Sequence, residues 1–190
     1  MSIADSEMRR KNYGKAAEYY ENAVEKKPGD RDAVMGYALA AISDALGESP
    51  MNILEKVATG KDNEALDLLS KLVSNKKTNE IVTKLTDDEN MFPKLFEGSN
   101  PPTDGPTNTF ATVIYILRGL MPLSNNPDPA AQASIKAIKN GDFDDVDIKD
   151  IPIQKETRDY IGKSFACMNR VGNNGVIKEL GSKLLNNCQR

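Results

Sequence analysis

Residues 12–42 read NYGKAAEYYENAVEKKPGDRDAVMGYALAAI, and this stretch decides the fold class. Ala16, Ala17, Tyr20, Ala23 and Val24 recur at spacings of three and four, which places them on one face of a helix over residues 14–27. Lys26 and Lys27 bring cations to its last turn, where the helix dipole is negative, and Pro28 and Gly29 stop it. Asp30 then opens a further helix that runs to about Leu46. Val34, Met35, Tyr37, Ala38, Leu39, Ala40, Ala41 and Ile42 leave that helix almost no polar face, so it must be covered on more than one side.

Helical signals extend outward from this pair. Upstream, residues 2–27 read as two helices joined by a tight turn at 11–14. Downstream, Ser49 can cap a helix with Pro50 at its first position and Gly60 at its end. Residues 62–74 form another helix, with Ala65, Leu66, Leu69, Leu72 and Val73 on one face, and residues 78–85 a shorter one. Thr86 with Glu89 three residues on has the form of a capping box that starts the next helix. Residues 98–106 hold three prolines and two glycines and read as a loop. Helices follow at about 108–120, 129–139, 155–170 and 174–187, with no hairpin signal anywhere. The division expected is helical repeats over 1–97, a loop over 98–106, and an all-helical extension over 107–190 packed on the repeats as one continuous domain.

Composition agrees with an all-α class. Aromatic residues make up 6% of the chain and tryptophan is absent, too little for a sheet core. A formal net charge of -3, with Lys26–Lys27 and Lys76–Lys77 as isolated pairs rather than a basic stripe, argues against nucleic acid as a partner. No stretch approaches the ~20 apolar residues needed to span a bilayer. The apolar segment 110–121 carries Arg118 and reads as a buried core helix.

The residues Tyr13, Ala16, Tyr20, Ala23 and Pro28 together resemble the second helix of a tetratricopeptide repeat. In that family an aromatic follows the inter-helix turn, a small residue sits where two helices cross closely, an aromatic and a second alanine follow, and a proline closes the repeat. Residues 32–42 resemble the first helix of a second repeat, with Ala38 at its close crossing. The resemblance implies an α-solenoid with a divergent C-terminal half, since later echoes break the regular 34-residue spacing. It also implies a protein–protein interaction module, such as an exported accessory protein of a larger assembly. A small-ligand carrier with a pocket among the C-terminal helices is the alternative. Counting back from Tyr13, the first repeat helix should begin at or just before Met1. Removal of a signal or lipid-anchoring segment and a short, frayed first helix account for this equally, so export and a cytoplasmic location stay open.

Sites for catalysis are not expected. The chain has no histidine, which removes the commonest general base and metal ligand. Cys167 lies among Phe165, Ala166 and Met168 and reads as a small buried hydrophobe. If 155–170 and 174–187 form a hairpin, Cys167 and Cys188 lie roughly 20 Å apart at ~1.5 Å rise per residue, too far for a disulfide. The acidic run Asp142, Asp144, Asp145, Asp147 and Asp150 fails the EF-hand register, because Asp145 or Asp147 falls where glycine is needed and Ile151 or Ile153 where glutamate is needed. No cofactor or metal is expected.

The expected partner is another protein or a peptide segment, of unspecified identity and with no oligomeric state implied. By resemblance the first helix of each repeat lines the concave face. That places Asp5, Met8 and Arg9 there from the first repeat, and Asp32, Met35, Leu39 and Ile42 from the second. Either a partner docks on this strip, or a later helix such as 109–120 folds back and fills it. Met8, Arg9, Asp32, Met35 and Leu39 are the candidate partner-binding residues; within the strip self-burial is favoured slightly for Leu39 and Ile42, and partner contact for Met8 and Met35.

Overall fold

A computed structural model gives the fold and describes residues 2–59, 68, 71–73, 75–124, 126–140, 155–170 and 182. Among the described residues there are nine helices and no strand. The chain is all-α.

The first helix, α1 (Ile3–Arg9), starts behind its own cap. Ser2 Oγ accepts from the Asp5 amide at 3.1 Å, and Asp5 Oδ2 accepts from the Ser2 amide at 3.0 Å. This local box caps the helix at Ser2. Lys11, at φ 63°, turns the chain into α2 (Tyr13–Lys26). Gly29, at φ 74°, carries it on to Asp30, whose Oδ1 accepts from the Ala33 amide and caps α3 (Arg31–Leu46). Side-chain register fixes the direction of packing. A Cβ on Gly14 would lie 3.2 Å from Asp44 Oδ1, and one on Gly36 only 2.4 Å from the Tyr20 ring. Early residues of α2 therefore face late residues of α3, and the pair is antiparallel. Tyr20 reaches the other way as well, donating to Asp5 Oδ1 of α1 at 2.7 Å.

The helix without a polar face is covered as expected, with Val34, Ala38, Ala40, Ile42 and Ser43 fully buried. Beside it lies α5 (Lys76–Asp87), reached after α4 (Pro50–Thr59). Ser49 caps α4 through the Asn52 amide, as its position before Pro50 predicts. Asn75 caps α5 by accepting from the Thr78 amide at 3.1 Å, while its Nδ2 donates to Ala45 O of α3. Lys77 pairs with Asp44, and Lys84 with Glu21. Residues 62–74 lie largely outside the described residues; Leu68, Leu72 and Val73 are buried.

The capping box expected at Thr86 and Glu89 is not formed. Thr86 lies inside α5, and its hydroxyl donates to Val82 O at 2.9 Å, the back-bond a helix-interior threonine can make. Asp88 instead turns the chain by accepting from the Asn90 amide, and the short α6 (Phe92–Phe96) follows with Pro93 in its first turn. A second boundary also differs. The central helix α7 (Gly105–Ser124) starts inside the segment expected to be loop, because Asp104 accepts from the Thr107 amide and Pro106 fits a first turn. Arg31 holds this start from α3, through Asp104 Oδ2 at 2.9 Å and Thr107 Oγ1 at 3.0 Å.

Every residue from Thr107 to Leu117 is buried, so α7 is the core helix its apolar composition predicts. It packs against α4, α5, α8 (Pro129–Asn140) and α9 (Lys155–Asn169). Among its polar members, Thr109 and Thr112 donate to the carbonyls of Gly105 and Asn108, and Asn108 Nδ2 donates to Pro102 O, while Asn108 Oδ1 is buried with no partner among the described residues. A Cβ on Gly119 would stand 2.9 Å from Ile161 Cγ1, so this glycine lets α9 approach α7 closely. One apolar core joins both halves, from Ala16 through Phe92 and Tyr115 to Ile161 and Cys167.

A polar rim closes the α9 side of that core. Arg118 grips Asp87 with two hydrogen bonds, at 3.3 and 3.0 Å, and its guanidinium lies 4.8 Å from the Tyr160 ring centre. Tyr160 also donates to Asp87 Oδ1 at 2.5 Å. Burial pushes the Asp87 carboxyl up, but hydrogen bonds from Arg118, Tyr160 and Thr86 outweigh it and leave the group below its ordinary 3.8. Beside it, Glu97 accepts from Tyr115 and pairs with Lys163. No described helix is long and apolar enough to cross a membrane.

Candidate functional site

A groove of about 790 Å³ opens where the start of α1, the end of α2 and the start of α3 meet. Ala4, Tyr20, Ala23, Ala33 and Met35 give it an apolar floor, with Ile3 and Tyr19 at its edge. These last two are unusual for large apolar side chains, being 64% and 45% exposed. A scattered surface apolar residue needs no explanation, but two beside an apolar concavity mark a contact surface. None of the described helices fills the groove, and residues 109–120 pack elsewhere, against α4, α5, α8 and α9.

The backbone explains why the opening lies here. The Tyr20 ring reaches Gly36 on one side and Asp5 on the other, so it ties the three helices together at one level. The groove lies between that level and the turn at Pro28. Of the residues assigned to partner contact, Asp32 and Met35 line it, together with Asp5. Met8, Arg9 and Leu39 do not; Met8 and Leu39 are half-buried against the core and Arg9 is exposed. Ile42 is fully buried. The groove therefore takes in the Asp32–Met35 end of the strip and leaves out Met8, Arg9, Leu39 and Ile42.

Sequence reasoning missed Ile3 and Tyr19. The tyrosine doublet carries a signal, because consecutive helix residues point about 100° apart and only one of the two can join the Ala16–Ala23 face.

Charges rim the turn end. Lys27 Nζ pairs with Asp30 Oδ2 at 2.6 Å, which raises the lysine and lowers the carboxyl from their ordinary values. Asp5 is also held low, first by the Tyr20 hydroxyl and then by Ser2. For Tyr20, burial and the Asp5 bond both push the phenol up, so it stays neutral and donating.

Elsewhere the chemistry is sparse. Cys167 is 1% exposed and burial pushes its thiol up to about 11, as suits a packing residue rather than a nucleophile. Among the described residues no cluster of acidic and cysteine side chains could hold a metal ion. The acidic run at 142–150, the helix expected at 174–187 apart from the helical Ser182, and Cys188 lie outside the described residues. The chain matches no protein-family model, no curated protein and no solved structure.

Proposed function

We propose that the chain is a protein–protein interaction module, with α1 to α3 forming a tetratricopeptide-like unit whose groove takes a segment of another protein. The antiparallel pairing of α2 and α3 and the close approach of Gly36 to Tyr20 suit a repeat of that kind. The observation that carries the reading is the exposure of Ile3 and Tyr19 beside Met35 at the mouth of an apolar groove. Methionine and tyrosine suit such a surface, since one adapts its shape and the other offers a large rigid face at low entropic cost.

Random displayed peptides panned against the full chain test the reading. Selected peptides should lose binding to Met35→Asp and to Tyr19→Ser, with the melting temperature of each variant nearly unchanged. Leu39→Asp should instead cost about 2–4 kcal/mol of stability, because it sets a charge against the core. Selected peptides that bind Tyr19→Ser and Met35→Asp as well as the parent would remove the groove as the site.

A further inference from the structure

We infer that the segment held by the groove combines apolar side chains with a basic residue whose cation is received at Asp32. This rests on the groove being the binding site, and it adds the chemistry of the occupant. Three carboxylates, Asp5, Asp30 and Asp32, and two ammonium groups, Lys26 and Lys27, line the opening, which leaves one negative charge in excess. These groups are not equally available. Asp30 is engaged by Lys27 and by the Ala33 amide, and Asp5 by Tyr20 and Ser2. Asp32 is exposed in the first turn of α3 and has no ion-pair partner among the described residues. Its charge is nevertheless felt across the opening, at both Tyr20 and Lys27. Lys26, in the last turn of α2, and Asp32, in the first turn of α3, each answer the end of their own helix, so it is the carboxylate excess around the opening that favours an incoming cation.

The apolar part of the groove favours the same ligand. Tyr19 and Tyr20 line the groove, and a lysine or arginine stem can lie along such aromatic side chains while its head reaches a carboxylate. An acidic segment would meet the excess negative charge and could offset it only by pairing with a lining lysine such as Lys26. A second copy of the chain fits poorly. Thirteen residues line the groove, whereas a stable interface takes about 20–30 residues a side.

Selection of displayed peptides, repeated on charge variants, tests this. Peptides won on the parent chain should carry lysine or arginine beside apolar residues, and selection on Asp32→Lys should turn that preference toward aspartate or glutamate. A single winning peptide should bind Asp32→Asn about threefold more weakly, the usual size of a rim ion pair. The same peptide with its basic residue changed to glutamine should bind the parent and Asp32→Asn alike. Winners that need Met35 but show no charge preference, or an unchanged preference on Asp32→Lys, would overturn the cation and leave the groove standing. Winners indifferent to both Met35 and Tyr19 would overturn the groove and the cation together. Concentration-dependent dimerisation in sedimentation, abolished by Met35→Asp, would make a second copy the occupant and also overturn the proposal.

Discussion

Replacing Gly36 by alanine should destabilise the protein although alanine is the better helix former. Gly36 lies within α3, where glycine costs about 1 kcal/mol relative to alanine in an unhindered position. Here a Cβ would fall 2.4 Å from Tyr20 Cε1 and 2.6 Å from both Cδ1 and Cζ, which no real contact tolerates. The ring must move, and it is not free to do so, because its hydroxyl is bonded to Asp5 at 2.7 Å. Overpacking of this kind costs ~1–3 kcal/mol, and losing the hydrogen bond adds ~1 kcal/mol. Set against the helix-propensity gain, the net loss is about 1–3 kcal/mol, or roughly 2–4 °C in melting temperature per kcal/mol at this size. Urea titration of the four members of a Gly36→Ala, Tyr20→Ala cycle checks the cause. In the Tyr20→Ala background the obstruction is gone, and Gly36→Ala should change sign and stabilise by up to ~1 kcal/mol. If Gly36→Ala stabilises the parent chain, the proposed junction between α1, α2 and α3 is wrong.

Two further expectations concern titration and reactivity. Asp87 sits below its ordinary 3.8, so its contribution to stability is present above about pH 4 and disappears as pH falls through the lower folded-state value. The stability difference between the parent and Asp87→Asn, measured by urea unfolding from pH 6 downward, should therefore narrow in acid; a difference that grows there would contradict the Arg118–Asp87–Tyr160 arrangement. In a Cys188→Ser background, Cys167 should react with a thiol reagent only slowly in the native protein and fast in urea, and immediate native labelling would show that the thiol is not buried.

The helices were legible where capping and periodicity agreed. Asp30 and Ser49 cap as their positions suggest, and Asp128 accepts from the Ala130 amide at 2.8 Å at the start of α8. Thr86 misled because Thr-x-x-Glu is a local pattern, while the helix was extended by a tertiary demand. Ile81, Val82 and Leu85 are buried, and the turn carrying them continues to Asp87, which meets Arg118 and Tyr160. The start of α7 was hidden for a related reason. Pro106 reads equally as loop and as a first helical turn, and what decides between them is Asp104, fixed from a distance of more than seventy residues in sequence by Arg31. No local reading contains that pair.

The candidate site was half legible, and the division follows from geometry. Repeat register places Asp5, Asp32 and Met35 on one surface because those positions share a helix face. It also places Met8 and Leu39 there, since register contains no information about where a surface ends. The end is set by Tyr20, whose ring occupies the space that Gly36 leaves and whose hydroxyl meets Asp5. A glycine in α3 therefore does two things at once: it lets α2 approach, and by admitting the ring it closes the groove on the side of Leu39. Ile3 and Tyr19 could not be assigned from periodicity because they lie off the apolar faces of their helices. Their exposure becomes informative only once the concavity beside them is known. Stability and recognition here share one side chain, so variants of Tyr20 should alter both, whereas variants of Tyr19 should alter recognition alone.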